Sequence, residues 1–239
     1  MSETTWTPAP PPPPAPPVPA GPAFDFAKPF TFVFEDPRWV NKVLVGGVFV
    51  LLAFIIVGWF FLLGYAARLT RNVIAGMQHP LPEWDDLGTY FSEGIRLALI
   101  PIIYVLPIVV LSILLIVPAA IAGESESELL ANLGGCLIGG VWCLIVPLSF
   151  AMTLFLPAAL TLAIVENRLG VGFEFRRIWN FIRANIANYL LAIVVYLVAR
   201  FAAGFGIALL CIGVIFTEFW ALMVTAYAMA QVYRLSVTR

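Results

Sequence analysis

The residues best suited to chemistry are concentrated in one short string, Pro80-Leu81-Pro82-Glu83-Trp84-Asp85-Asp86. Its three carboxylates could bind a divalent cation, because Ca²⁺ and Mg²⁺ take oxygen ligands, although the spacing is not that of an EF-hand loop. The alternative is a structural turn at the membrane surface. Trp84 would then lie among the headgroups, and the acids would begin a helix whose positive end attracts them. We favour the turn, an interfacial motif that consists of Pro82, Glu83, Trp84, Asp85 and Asp86.

Glu218 and Arg200 are ionisable residues within long apolar runs. An ionisable group inside a membrane is a candidate functional site by default. A turn is predicted near Gly204–Gly206, so Glu218 is expected about eleven residues beyond it, near the middle of the membrane. Three interpretations stay open. Glu218 could be protonated and hydrogen-bonded to a neighbouring helix, it could be a proton or substrate site, or it could pair with Arg200.

The remaining reactive side chains do not form a catalytic set. His79, the only histidine, precedes Pro80 in a turn, and no Cys or Ser nucleophile is close to it in sequence. The three cysteines, Cys136, Cys143 and Cys211, lie in apolar runs and are interpreted as small apolar residues. Phosphate-binding loops, HExxH and GxSxG do not occur. We therefore predict that the chain is not an enzyme and has no catalytic, cofactor or metal site.

Composition indicates an integral membrane protein. Hydrophobic residues make up 62% of the chain and charged residues 11%, with a mean hydropathy of +0.97. A soluble domain carries roughly a quarter charged residues. The net charge of −1 argues against a nucleic-acid partner, which would require a basic patch.

The apolar runs predict an all-α, polytopic transmembrane bundle of about five spans. These are expected at residues 43–67, 95–122, 133–158, 186–204 and 207–233, together forming a transmembrane domain over residues 43–239. Residues 24–42 form an aromatic-rich interfacial segment. Residues 1–23 form a tail that holds ten of the chain's 19 prolines and is either a disordered spacer or a docking arm for a partner. Prolines in the second and third spans should kink or break them.

Two segments have the spacing of amphipathic helices that lie flat on a membrane. They are Pro82–Gly94 and Phe173–Asn185, and each follows one predicted span and precedes another. A parallel internal repeat of two-span units is therefore a hypothesis. The residues that align between the two segments are Trp84, Leu87, Tyr90 and Phe91 with Phe175, Ile178, Phe181 and Ile182.

The basic residues predict the orientation, because cytoplasmic loops are enriched in Lys and Arg. With five spans, Lys28, Arg38 and Lys42 lie on one side and nine arginines on the other. The C-terminus is then cytoplasmic and the N-terminus outside. Five of these arginines are candidate contacts for lipid headgroups or a partner: Arg68, Arg71, Arg176, Arg177 and Arg183.

The order of several motifs resembles a known family. The motifs include Asp36-Pro37-Arg38-Trp39, Gly46-Gly47, Gly64-Tyr65, Leu81-Pro82-Glu83-Trp84-Asp85-Asp86, and Gln231-Val232-Tyr233-Arg234. Together they resemble the prokaryotic membrane proteins grouped as the domain of unknown function 4013 family. The resemblance covers about Phe30 to Arg234 and implies a bacterial or archaeal inner-membrane protein. It brings no assigned activity and no catalytic residues.

Two functions fit these features. The first is a non-enzymatic scaffold or accessory subunit of a membrane complex, with membrane lipids and a protein partner bound through the tail or the helix faces. The second is a small transporter or permease component with Glu218 near a mid-membrane site, because broken helices often surround such sites.

Overall fold

The computed structural model describes residues 23–124, 127–208 and 212–237. Every regular element in these ranges is helical, which confirms the predicted all-α class. The α-helices are α1 (Lys28–Thr31), α2 (Trp39–Leu52), α3 (Val57–Ile74), α4 (Leu87–Gly123), α5 (Glu128–Glu166), α6 (Phe175–Ala184), α7 (Ile186–Gly204) and α8 (Gly213–Val237). Short 3₁₀ turns lie at Phe32–Glu35, Ala53–Ile55, Leu169–Phe173 and Phe205–Ala208.

Four helices, α4, α5, α7 and α8, are long and apolar enough to cross a membrane. A fifth crossing results if the bent pair Lys28–Glu35 and Trp39–Ile55 counts as one broken span. The multi-pass helical architecture is therefore confirmed. Residues 1–22, which contain nearly all of the predicted proline-rich tail, lie outside the described residues.

The predicted first span, residues 43–67, differs from the structure because α2 and α3 fold back on each other. The rings of Phe49 and Phe61 stack at 4.6 Å, although a straight helix would hold them roughly 18 Å apart. A Cβ on Gly58 would lie 2.0 Å from the carbonyl oxygen of Phe49, so glycine permits this close return. The chain reverses at Ile56, which has a φ of 70°.

This hairpin brings the N-terminal segment and the α3–α4 connection to the same side. Glu83, in that connection, pairs with Arg38 at 2.8 Å and with Lys42 at 2.7 Å. The prediction that Arg38 and Lys42 lie opposite Arg68 and Arg71 is therefore wrong. It assumed that one helix carries the chain across the membrane before Arg68.

The α4–α5 pair is longer than predicted, at 37 and 39 residues. Both helices continue through their internal prolines, such as Pro107 in α4 and Pro147 in α5, without a break. Of the two predicted surface helices, α6 is separate from the span that follows it. The other is not, because Leu87 and the residues after it are the first turns of α4. The two units of the proposed repeat differ in this respect, and the repeat stays a hypothesis.

Two apolar clusters hold the helices together. The first joins parts of α3 and α4 to α5, α6, α7 and α8 through buried residues such as Leu162, Ile178 and Tyr189. The second joins the N-terminal segment, α2, α3, the start of α4 and α8, and includes Phe49 and Tyr65. Helices α3, α4 and α8 contribute to both clusters and so connect them.

Candidate functional site

The string that begins at Pro80 is irregular and contains a turn at Trp84 and Asp85, and side chains from other elements hold it in place. Proline has no N–H, and an irregular segment lacks the hydrogen-bond ladder of a helix, so its carbonyls need other donors. Four successive carbonyl oxygens each accept a hydrogen bond from a side chain. The donors to Pro80, Leu81, Pro82 and Glu83 are Asn72 Nδ2 at 2.9 Å, Lys42 Nζ at 2.9 Å, Tyr65 Oη at 3.0 Å and Tyr90 Oη at 2.6 Å.

Trp84 lies inside an aromatic cluster. Its ring stacks on Tyr65 with centroids 4.2 Å apart and on Phe49 at 4.7 Å. Its indole Nε1–H donates to the carbonyl oxygen of Lys42 at 3.0 Å. The structure therefore differs from the prediction of a headgroup anchor, because Trp84 joins α2, α3 and the string that contains it.

Two of the three acids of the interfacial motif have separate structural roles. Glu83 pairs with Arg38 and Lys42, whereas Asp86 accepts a hydrogen bond from the backbone N–H of Thr89 at 3.1 Å and caps α4. Hydrogen bonding from Thr89 lowers the pKa of the Asp86 carboxyl. Within the described residues, no three His, Cys, Asp or Glu side chains are grouped so that they could hold a metal ion. The geometry therefore favours the structural turn over the cation site.

Asp36 and Lys42 form a second polar cluster, which sequence reasoning missed. Lys42 Nζ lies 2.6 Å from Asp36 Oδ2, and both side chains are buried. The other carboxylate oxygen of Asp36 accepts from the backbone N–H of Arg38 at 2.8 Å. The same ammonium group contacts Leu81 O and Glu83, so one buried lysine connects the start of α2 to the string. A sequence signal existed: Lys42 directly precedes an apolar run in which an unpaired charge would be costly.

Arg200 and Glu218 form an ion pair. Helix α8 begins at Gly213, so Glu218 is about five residues, or roughly 8 Å, from the helix start. The Thr217 hydroxyl donates to Ala203 O at 2.9 Å and fixes this register. Glu218 therefore lies nearer to the start of its helix than expected from a turn near Gly204–Gly206, and its depth in a membrane stays a prediction. Of the three interpretations, the geometry agrees with the ion pair.

Comparison with known proteins gives a family. The family model described as "Protein of unknown function (DUF4013)" matches residues 47–212. The chain belongs to the DUF4013 family. No curated protein and no solved structure matches the chain. The resemblance inferred from the motifs is thus confirmed.

The match to DUF4013 covers the string at Pro80 but not all of its contacts. It begins at Gly47, beyond the Asp36–Lys42 pair, and ends at Ile212, before Glu218. In this DUF4013 protein, the buried pair that holds the string therefore lies outside the matched range.

The five candidate arginines of this DUF4013 protein fall into two groups. Arg71 pairs with Glu93 and also donates to Ile164 O at 3.3 Å, and Arg177 pairs with Glu166 at 2.5 Å. The second group is exposed and forms no ion pair with the described residues: Arg68, Arg176 and Arg183. Arg71 and Arg177 therefore hold helices together, whereas the second group is free to meet an external anion.

Proposed function

We propose that this DUF4013 protein is a non-enzymatic scaffold or accessory subunit of a membrane complex in the inner membrane of a prokaryote. The observation that carries the proposal is the exposure of the most apolar stretch of α4. Only 6% of its most apolar stretch is buried inside the protein, against 33–39% in α5, α7 and α8. The N-terminal part of α4 packs on α3, but this stretch contributes little to the core and has its surface available for another subunit.

The length of α4 supports the same proposal. Its 37 residues extend roughly 55 Å, whereas the hydrocarbon core of a bilayer is about 30 Å thick. An upright α4 would therefore carry apolar residues beyond the lipid, where a partner would have to cover them. A strongly tilted α4 would instead keep its apolar residues within the lipid. The tilt would enlarge the surface that the α4–α5 pair exposes inside the membrane.

Glycines on α5 indicate where helices of a partner would pack. Elsewhere in the fold, glycine marks a close contact: a Cβ on Gly64 would lie 2.0 Å from the carbonyl oxygen of Tyr90. Gly135, Gly139 and Gly140 lie inside α5, yet among the described residues no atom lies within 4 Å of the position that a Cβ would take. Small residues spaced four apart allow close approach of a second helix in membranes.

The α2–α3 hairpin supports a revised proposal for the orientation. Because the N-terminal segment shares a side with the α3–α4 connection, nearly all of the thirteen lysines and arginines lie there. Arg200 is the one basic residue among the described residues that lies on the other side, where α7 ends and α8 begins. The excess of basic residues favours a cytoplasmic location for that side. The N-terminal segment and the C-terminus would then both be cytoplasmic, which revises the location expected for the N-terminus.

Affinity purification from membranes in mild detergent, followed by mass spectrometry, tests the scaffold. The wild type should recover a stoichiometric partner, and the Gly135→Leu/Gly139→Leu variant should lose it. Gly88→Leu is the control, because Gly88 also has open space but lies in the first turn of α4. A wild-type protein that purifies alone, with thermal stability that rises with a small solute, would support the transporter instead.

Labelling from one side of the membrane tests the orientation. In a variant with all three cysteines replaced by serine, single cysteines are introduced as F34C, M77C and E124C, at exposed positions. An impermeant maleimide should label F34C and M77C from the cytoplasmic side and E124C from the other. Labelling of F34C and M77C from opposite sides would contradict the hairpin topology.

A further inference from the structure

Helix α6 has an apolar inner face that packs on the bundle. Ile178 is completely buried and Ile182 is 5% exposed. Phe181 contacts the rings of Tyr189 in α7 and Tyr233 in α8. These contacts fix the rotation of α6 about its axis, so its opposite face is directed away from the protein.

The outward face of α6 carries positive charge that the fold does not neutralise. Glu166 and Glu174 both pair with Arg177, at 2.5 Å and 3.6 Å. Arg176 and Arg183 are exposed and form no ion pair within the described part of the chain. They are seven residues apart, so they lie on the same face at a separation of about 10 Å along the axis.

Two aromatic rings flank these arginines. Phe175 is 59% exposed and Trp179 is 49% exposed. Each ring also contacts a helix long enough to cross the membrane. Trp179 stacks on Phe155 of α5 with ring centroids 6.0 Å apart, and the ring centroids of Phe175 and Tyr104 of α4 are 5.7 Å apart. Aromatic rings beside cations at the end of a spanning helix are typical of the layer where acyl chains meet headgroups.

We infer that the outward face of α6 binds the phosphate groups of anionic phospholipids through Arg176 and Arg183. A guanidinium donates two parallel hydrogen bonds to phosphate oxygens, which suits a headgroup better than a point charge would. Trp179 and Phe175 insert beside the first carbons of the acyl chains. An acidic protein would match the charge but would leave the exposed parts of these two rings without an apolar partner, so the aromatic residues favour lipid.

Native mass spectrometry of the purified full chain in detergent measures this binding. The probes are phosphatidylglycerol and phosphatidylcholine with identical acyl chains. We expect the wild type to retain more phosphatidylglycerol than phosphatidylcholine. Each arginine lost should weaken phosphatidylglycerol binding roughly fivefold, so Arg176→Gln/Arg183→Gln should weaken it about 25-fold. The Arg176→Lys/Arg183→Lys variant should keep most of the binding.

Arg200→Gln is the matched control, because it removes an arginine at the other end of α7. It should leave phosphatidylglycerol binding unchanged. Equal binding of the two lipids by the wild type would overturn the inference, as would unchanged binding by Arg176→Gln/Arg183→Gln. The measurement uses the purified chain, so its result does not depend on whether the proposed scaffold has a partner.

A second measurement is independent of the arginine variants. In nanodiscs, bromine on the acyl chains of phosphatidylglycerol should quench the total tryptophan fluorescence of the protein more than the same bromine on phosphatidylcholine. The Trp179→Phe variant should lose that difference, whereas a difference that persists in Trp179→Phe would contradict the assignment. A co-purifying acidic protein that is lost from Arg176→Gln/Arg183→Gln, with lipid binding intact, would replace lipid with protein as the occupant.

Discussion

Lys42 and Asp36 form an ion pair in the interior of the protein. Lys42 Nζ lies 2.6 Å from Asp36 Oδ2, and the two side chains are only 5% and 4% exposed. The ammonium group also donates to Leu81 O at 2.9 Å, so the pair fixes the entrance of the α2–α3 hairpin against the string at Pro80. Removing one partner of such a pair leaves an uncompensated buried charge.

Lys42→Met should therefore destabilise the protein by about 3–5 kcal/mol. The measurement is the unfolding free energy of the purified protein in detergent. The control is Lys28→Met, because the Lys28–Glu35 pair is 40% and 44% exposed and should contribute under about 1 kcal/mol. If the two variants unfold alike, the buried pair does not stabilise the hairpin.

The stability of the Asp36–Lys42 pair should depend on pH in the acid range. Burial would raise the pKa of the Asp36 carboxyl, but hydrogen bonds from Lys42 and the Arg38 N–H outweigh it, so the pKa is lowered from 3.8. A carboxyl whose pKa is lower in the folded state stabilises that state fully when the pH is above the pKa of the group in the unfolded state. That contribution is lost as pH falls through the folded value.

The wild-type melting temperature should thus fall more steeply below about pH 4 than that of Asp36→Asn, which lacks the titrating group. The asparagine variant should be less stable at neutral pH, and the difference should shrink as the medium becomes more acidic. Melting curves that stay parallel between about pH 6 and pH 3 would show that Asp36 does not contribute in this way.

The sequence predicts structure well where a local pattern of residues is compatible with only one kind of element. Helix α6 was predicted because its apolar residues recur at three and four positions while its arginines fall on the other face. The string at Pro80 is interpreted from sequence as a turn because its acids suit the positive end of a helix, and Asp86 does cap α4. The partners of Glu83 lie in a segment distant in sequence, so they could not be identified.

The hairpin and the position of Glu218 within α8 were not predictable for a related reason. An apolar run of 25 residues satisfies lipid equally well as one straight helix or as two packed ones, so hydropathy does not distinguish them. The reversal at Ile56 has neither proline nor a polar residue to mark it. Likewise, the length of the α7–α8 connection sets where Glu218 lies, and apolar residues fill both the helices and the connection.

Trp84 should be the most sensitive residue of the interfacial motif. Trp84→Ala removes a ring that stacks on Tyr65 and Phe49 and should cost about 3–5 kcal/mol. Trp84→Phe keeps most of the stacking but loses the hydrogen bond to Lys42 O, so about 1 kcal/mol is expected. Trp59→Ala is the control, since Trp59 is 53% exposed. Equal melting temperatures for Trp84→Ala and Trp59→Ala would mean that the cluster does not hold the string.

Gly94 should tolerate no side chain, because the backbones of α3 and α4 are in direct contact at this position. A Cβ on Gly94 would lie 1.6 Å from the carbonyl oxygen of Phe60, and a backbone atom cannot swing aside as a side chain can. Gly94→Ala should therefore push the two helices apart and disturb the contacts of Tyr65 and Trp84. The expected loss is several kcal/mol, at least the ~1–3 kcal/mol typical of overpacking, with a lower yield of folded protein.

The matched control for Gly94→Ala is Gly88→Ala, six residues earlier in the same helix. No described atom lies within 4 Å of the position of a Cβ on Gly88, and alanine is the better helix former by about 1 kcal/mol. Gly88→Ala should leave the melting temperature unchanged or raise it slightly. If Gly94→Ala is as stable as Gly88→Ala, then α3 and α4 do not pack this closely. The contact between α3 and α4 would then not stabilise the α2–α3 hairpin.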